Sequence, residues 1–323
     1  MINDFQQLFK DYLENNRFDL EPMGLYQPIN YFMNQSGKRI RPILTLIGYD
    51  LFADRVEAAL PLAYAMELFH NFTLVHDDIM DQAPIRRGLP TIHQQYGINT
   101  AILSGDVMLI HVYDYLLEAG FHHQFPTLLS TFNRVAVEVC KGQQYDMDFE
   151  NRTDVTIPEY LRMIELKTAA LLGGCLEVGA VAAGAPSKDI GLLATFGRHL
   201  GIAFQLHDDI LDAFGDPEKF GKKQGGDIVQ NKKTFLVLKA IEIADPTTRK
   251  RLKDLMGNPG IDENEKVKEV LDIFQQLKIR ELAGTIKDQY QASAFLALAA
   301  VNAPENKKDA LKNLAFQLMA REN

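Results

Sequence analysis

Six aspartates stand in two copies of one pattern, Asp77-Asp78-Ile79-Met80-Asp81 and Asp208-Asp209-Ile210-Leu211-Asp212, each set in an otherwise apolar run. Carboxylates this close repel one another, so an acidic cluster inside hydrophobic sequence calls for cations. On a helix, the first and fifth residues of each copy project from nearly the same face, one turn apart. Two such faces opposed across a cavity would present hard oxygen ligands of the kind Mg2+ takes. Because Mg2+ keeps positions open for phosphate oxygens, the pattern suits a diphosphate substrate. A solvated helix face would account for either copy alone, but not as readily for the same cluster doubled beside basic motifs.

Three basic elements accompany the aspartates: Gly37-Lys38-Arg39-Ile40-Arg41-Pro42, Arg86-Arg87-Gly88-Leu89-Pro90-Thr91, and Lys167-Thr168. A guanidinium grips phosphate oxygens with two parallel donors, and a lysine supplies a mobile point charge. Singly, each element reads as a solvated patch; together they would hold one diphosphate without metal while metal ions hold another. The net charge of -9 argues against a nucleic-acid surface, and against that background the basic clusters stand out as anion sites. After the second acidic copy, the stretch 215–227 mixes glycines, lysines and turn residues, the composition of a lid.

Helices must position these groups. Apolar residues recur at helical spacing, and no stretch shows the bounded β-branched alternation of a sheet, so the expected fold is all-α. The periodicity predicts helices over roughly 4–16, 24–35, 38–53, 56–82, 92–119, 124–150, 157–184, 187–214, 231–243, 247–256, 263–299 with a break, and 306–320. Thr156-Ile157-Pro158-Glu159 carries the clearest helix start, with a capping threonine, an early proline and a glutamate three positions on. With 323 residues, 46% hydrophobic and 24% charged, the chain is able to bury a sizeable core, and a single domain over 1–323 is expected. Two cysteines, Cys140 and Cys175, lack metal-ligand spacing and cannot form a disulfide framework, which points to packing roles in a reducing cytoplasm. The N-terminus lacks a basic segment followed by an apolar one, and no uncharged apolar run reaches the ~20 residues of a membrane span. No stable membrane insertion is expected.

The chain resembles the trans-prenyltransferases, the head-to-tail isoprenyl diphosphate synthases of the polyprenyl synthetase family, from about residue 30 onward. GKRIRP at 37–42, HNFTLVHDDIMD at 70–81, RRGLPTIH at 86–93, GQQYD at 142–146, KTAALL at 167–172, FQLHDDILDAFGD at 204–216 and GKKQGGDIVQNKKT at 221–234 carry the resemblance, in the family's order. It implies one all-helical domain around a deep central cavity, a homodimer, and three Mg2+ ions when substrate is bound. It also implies that isopentenyl diphosphate and an allylic prenyl diphosphate are the substrates. By the same resemblance Asp77, Asp78 and Asp81 would bind metal from one wall, and Asp208, with Asp209 and Asp212, from the other. Asp227 would assist through water. Arg86, Lys167, Lys222 and Lys232 would clamp the allylic diphosphate, the adjacent Lys223 being the alternative to Lys222. Lys38, Arg41, His70 and Arg87 would hold the diphosphate of isopentenyl diphosphate, and Gln205 and Thr168 would face the developing carbocation.

No unpaired histidine or glutamate stands at hand in the motifs, which leaves the released diphosphate as the base. His76 and His207 are turned from the first aspartate's face by roughly 100° and read as structural. The growing chain would run along the helix that carries Asp77. Phe72 lies about 7.5 Å deeper at 1.5 Å per residue, with Phe69 a further turn down. In the family, an aromatic at the Phe72 position beside a small residue such as Thr73 resembles synthases that stop near C20. Farnesyl diphosphate, C15, stays open, because Phe69 and side chains from 101–116 would shorten the cavity. Other readings are an HD-type phosphohydrolase, which leaves the second acidic copy unexplained; a class I terpene cyclase, which leaves the Lys38-Arg41-Arg87 site without a ligand; and a silent subunit of a heteromeric synthase, in which eroded acidic motifs would be expected. Arg321, in the tail, is a further candidate for phosphate contact.

Overall fold

The computed structural model describes residues 2–215, 224–257 and 260–320, and its regular structure is almost wholly helical, as the periodicity predicts. The described chain divides into two compact units. One comprises Met1–Val135, Leu171–Ala194 and Val301–Leu311; the other comprises Ala136–Ala170, Thr195–Ala300 and Lys312–Asn323. Lys222, Lys223, most of the lid candidate and Arg321 lie outside the described residues.

Helices α1 (Ile2–Asn15), α2 (Met23–Met33), α3 (Ile40–Asp50) and α4 (Leu60–Met80) open the first unit. Along α4, Leu62, Ala63, Ala65, Met66 and Leu68 are fully buried. A helix that is apolar on every side belongs in a core, and α4 can therefore project the residues near its C-terminal end, Asp77 and Asp78 among them, from a rigid support. The expected helix over 92–119 is broken: α5 (Ile92–Tyr96) ends at Gly97, with φ 86°, before α6 (Ile98–Glu118) begins. Among the described residues α6 is the helix long and apolar enough to cross a membrane, with a mean hydropathy of 1.2. It contains Asp106 and Asp114.

One feature departs from the helical pattern. Residues Ile85–Arg86 (β1) and Leu89–Pro90 (β2) form a two-stranded antiparallel ribbon in which Ile85 faces Pro90 and Arg86 faces Leu89. The turn residues Arg87 and Gly88 both take positive φ, 53° and 79°, which suits the tightest hairpin turns. Two-residue strands are too short to leave an alternation signal in sequence.

The second unit is built on the C-terminal part of α7 (Phe125–Glu150), on α8 (Ile157–Ile164), on most of α10 (Ser187–Phe214) and on the helices that follow it up to Ala300, its core including Phe149, Ile164, Leu206, Phe235 and Phe274. Thr156 starts α8 as a capping box: its hydroxyl accepts from Glu159 N at 3.4 Å, while Glu159 accepts from Thr156 N at 2.9 Å. The predicted helix 157–184 is interrupted by no loop as far as Ala182 but changes its winding. A π turn, Glu165–Ala169, separates α8 from α9 (Ala170–Ala182) and carries Lys167 and Thr168. Single π turns within helices recur at functional positions. Here α7 packs so closely on the widened turn that a Cβ on Gly142 would meet Lys167 N at 2.2 Å and its Cα at 2.5 Å, so any larger residue there must displace the turn. Further on come α11 (Gly226–Val229), α12 (Phe235–Ile243), α13 (Pro246–Gly257), α14 (Glu263–Gln276), α15 (Ile279–Ala299) and α16 (Glu305–Met319). The break expected within 263–299 falls at Lys278, with φ 53°.

Candidate active site

In the first unit, the site begins where α4 ends. Asp77 and Asp78 differ in burial: side-chain exposure is 16% for the first and 1% for the second. Asp81 is exposed. Arg86, carried on β1, donates from Nε and from a terminal nitrogen to Asp78 Oδ1, both at 2.7 Å, and lies 3.5 Å from Asp77 Oδ2. Burial pushes the Asp78 carboxyl up to about 6, with Asp77 and Asp81 adding to the rise and Arg86 opposing it. Its Oδ2 is buried without a hydrogen-bond partner. The hairpin thus sets Arg86 on the acidic motif and turns the next residue, Arg87, to a different task.

Arg87 lies over Gly37, its Cζ 3.3 Å from where a Cβ would sit. It belongs to a cluster with Arg39, Arg41 and His70, in which the principal counter-charge is Glu67. Burial first, then the Arg41, Arg87, Arg86 and Arg39 guanidiniums, hold the His70 imidazole well below its ordinary value, so it is neutral at physiological pH. Arg41 Nε is buried and makes no hydrogen bond, a donor prepared for an anion. Lys38 is exposed at the edge of this segment. Arg39 is not aimed at a ligand. It donates to Glu67 at 2.6 Å, to Gln35 O at 2.7 Å and to Met33 O, and it holds φ 47°, which anchors the turn that leads into α3. Cys175 is buried near Arg41 and Glu67, and burial pushes its thiol up to about 12, so it is an inert packing group; Cys140 is exposed.

Deeper along α4, Phe72 is partly buried and Phe69 is 1% exposed. Their rings lie 5.7 Å apart, and Phe69 packs edge-on against Phe132 at 5.3 Å. The Thr73 hydroxyl donates to His70 O at 2.7 Å within the helix. His76 turns to α6 and its own helix, with Phe72 at 4.8 Å between rings, Ile102 O at 3.2 Å and Asp106 Oδ1 at 3.8 Å.

In the second unit, a hydrogen-bonded chain runs through the other acidic motif. Thr168 donates to Gln205 Oε1 at 3.2 Å, Gln205 donates to Asp209 Oδ1 at 3.2 Å, and the Tyr160 hydroxyl donates to Asp209 Oδ2. Asp209 is 4% exposed, and burial, helped by Asp227 and Asp208, pushes its carboxyl up to about 7 against the pull of Tyr160 and Gln205. Asp208 and Asp212 are less deeply buried. Asp212 Oδ2 accepts from Asp227 N at 3.0 Å, which fixes the start of α11. Lys167 pairs with Asp146 at 2.6 Å, and Lys232 with Asp227 at 3.4 Å.

Both acidic motifs divide in the same way. The second aspartate of each is buried and hydrogen-bonded; the first is more open. Among the described residues no three His, Cys, Asp or Glu side chains converge closely enough to hold a metal ion unaided. The donors are all hard carboxylate oxygens, one of them the unpartnered Asp78 Oδ2. That set fits Mg2+, which takes one or two carboxylates and completes its shell with water and phosphate.

Sequence reasoning missed the groups that hold these residues in place: Glu67, Asp146, Tyr160 and the anchoring function of Arg39. A signal existed for Glu67, a lone acid inside the apolar run Leu62–Phe69, since a buried charge needs a partner. None existed for Tyr160, whose partner lies on a distant segment.

The polyprenyl synthetase family model matches residues 22–274. The chain is 36% identical to the geranylgeranyl diphosphate synthase of Sulfolobus acidocaldarius, over 98% of this chain and 94% of that one. It is 40% identical to the short chain isoprenyl diphosphate synthase of Methanocaldococcus jannaschii, over 78% and 76%. A crystal structure of a geranylgeranyl pyrophosphate synthase matches with a TM-score of 0.95 at 41% identity, covering 100% of this chain and 99% of that one. Motifs, fold and relatives agree, and the chain belongs to the polyprenyl synthetase family.

Proposed function

We propose that the protein is a head-to-tail prenyltransferase that joins isopentenyl diphosphate to allylic diphosphates and stops at C20, geranylgeranyl diphosphate. The observation that carries this reading is the basic cluster of Arg41, His70 and Arg87, with the exposed Lys38 at the edge of the same segment, distinct from the acidic motif. A reaction on a single allylic diphosphate has no use for it; a condensation of two diphosphates requires it. The relatives named above, two of them geranylgeranyl diphosphate synthases, support the C20 assignment.

In this reading Asp77, Asp78 and Asp81 would hold Mg2+ from one motif, Asp78 through its unpartnered Oδ2 while its Oδ1 orients Arg86, and Asp208 and Asp212 would hold it from the other, with the buried Asp209 behind them orienting Gln205. Bound Mg2+ would supply positive charge to the departing diphosphate. Arg86, Lys167 and Lys232 place their own cations on the same group, as does the lysine at 222 or 223, and in a site that excludes water such charges act strongly. The allylic C–O bond breaks with its electron pair on diphosphate. Gln205 and Thr168 turn polar oxygens to the resulting allylic cation. Isopentenyl diphosphate, held by Arg41 and Arg87, gives the electrons of its double bond to C1, and a proton then leaves to the released diphosphate. Neutral His70 donates a hydrogen bond without adding a full charge. Phe72 blocks the path of the growing chain.

One domain spanning both compact units is part of this reading, since the family match runs across them. So is a homodimer in the cytoplasm: Ile102, Leu103, Ile110 and Leu117 are 41%, 57%, 62% and 58% exposed on α6, an apolar load a second copy would cover. Sedimentation equilibrium measures that state. Arg87→Gln tests the carrying observation. KM for isopentenyl diphosphate is expected to rise about tenfold or more, the cost of a charge-assisted pair, while KM for the allylic partner stays within about twofold. An equal rise in both would contradict the separate anion site.

A further inference from the structure

The second unit contains a cavity that the prenyl-transfer residues do not use. It measures about 810 Å3, within the range of roughly 300–1,000 Å3 typical of small-molecule sites. It is walled by the segment before α8 and by α12, α13 and α15. Val155, Phe235, Leu238, Met256, Leu282 and Ile286 give it an apolar lining. None of the aspartates, nor Arg86, Lys167, Gln205 or Lys232, is part of its wall.

Its charged lining is one-sided: Arg152, Lys233, Lys239 and Lys253 against Glu242. Two of the cations are already neutralised. Arg152 pairs with Asp154 at 2.9 Å and Glu159 at 2.8 Å, and Lys239 with Glu242 at 3.2 Å. Lys233 is different, because its Nζ donates only to main-chain oxygens, Asn231 O at 3.2 Å and Glu150 O at 3.3 Å. Among the described residues neither Lys233 nor the exposed Lys253 has an ion-pair partner. An apolar chamber that meets two such lysines has the complementarity of a ligand with an unbranched hydrocarbon tail and a small anionic head.

We propose that this cavity is a second ligand site, separate from the prenyl-transfer site, and that it binds a single-chain amphiphile with a carboxylate head. The tail occupies the space between Phe235, Leu238, Leu282 and Ile286. The head pairs with Lys233 and Lys253. Arg152 and Lys239, held by their own carboxylates, contribute stems to the wall and little net charge.

The chain contains no tryptophan, so Thr285→Trp places a unique fluorophore at the cavity on an exposed position, where the fold tolerates it. Full-length protein is titrated with decanoate, dodecanoate and tetradecanoate below their micelle concentrations, and unsubstituted protein is titrated in parallel by calorimetry. We expect a saturable change in indole emission, and affinity rising about tenfold for each added pair of methylenes. Lys233→Gln combined with Lys253→Gln should weaken dodecanoate at least tenfold and leave dodecanol unchanged. The proposal is overturned if the indole does not respond, even where calorimetry detects binding, because the ligand then sits elsewhere. It is equally overturned if dodecanol binds as tightly as dodecanoate, or if the paired lysine substitution has no effect.

Discussion

At the residue scale, the aspartates of each acidic motif are chemically identical and differ in burial. Asp78 and Asp209 are 1% and 4% exposed; Asp78 holds Arg86 through Oδ1 and leaves Oδ2 unpartnered, while Asp209 spends both oxygens on Gln205 and Tyr160. Tyr160→Phe deletes one hydrogen bond to a buried carboxylate, worth about 1.5–3 kcal/mol. We expect kcat to fall about tenfold or more and half-saturation by Mg2+ to shift upward, with far-UV circular dichroism unchanged; steady-state rates across Mg2+ concentrations measure both. His70 yields a pH prediction. Its folded-state value lies below the ordinary 6.5, so as pH falls through that value the unfolded chain takes up the proton first. The His70 contribution to stability is therefore lost as pH falls from about 6.5, while the raised Asp78 and Asp209 carboxyls act in the opposite sense over the same range. His70→Gln should flatten that part of the curve, as followed by denaturant midpoints from pH 5 to 7.5. The acidic and basic clusters were legible because charge stands out in apolar sequence. Tyr160 was not, because its meaning depends on which distant carboxylate it meets.

At the element scale, two short irregular pieces matter more than their length suggests. The hairpin 85–90 sends consecutive arginines to different partners, and the π turn of Glu165–Ala169 presents Lys167 and Thr168 from a widened winding. Gly142→Ala tests the second. The added methyl would meet the Lys167 backbone at 2.2 Å, and backbone cannot yield as a side-chain tip does. A loss of about 1–3 kcal/mol by urea denaturation is expected, with kcat reduced at least tenfold because Lys167 and Thr168 move together. Unaltered kcat in a destabilised variant would separate packing from catalysis. Long helices such as α7 and α10 followed from periodicity alone. The break at Gly97 and the π turn lie within patterns that stay helical on either side, so periodicity cannot place them; the break within 263–299 is legible, though not its position at Lys278.

At the scale of the whole molecule, the all-α class was legible, since apolar spacing fixes the type of element over hundreds of residues. The division into two compact units was not, because their boundaries fall inside continuous helices such as α7 and α10. Product length belongs to this scale, and in the proposed reading it is set by the room the fold leaves beyond Phe72. Phe72→Ala is expected to shift the product distribution from C20 to longer chains, as separated by chromatography after dephosphorylation. A distribution identical to that of the parent would place the floor elsewhere, with the fully packed Phe69 the next candidate.

The central claim is that two diphosphates are joined here by carbon–carbon bond formation supported by Mg2+. Purified protein, incubated with labelled isopentenyl diphosphate and dimethylallyl, geranyl or farnesyl diphosphate, with Mg2+ or with a chelator, tests it most directly. Five-carbon extension of all three allylic partners is expected, with C20 as the dominant end product and loss of turnover on chelation. Release of diphosphate with no extended product, or a cyclised hydrocarbon from the allylic partner alone, would contradict it.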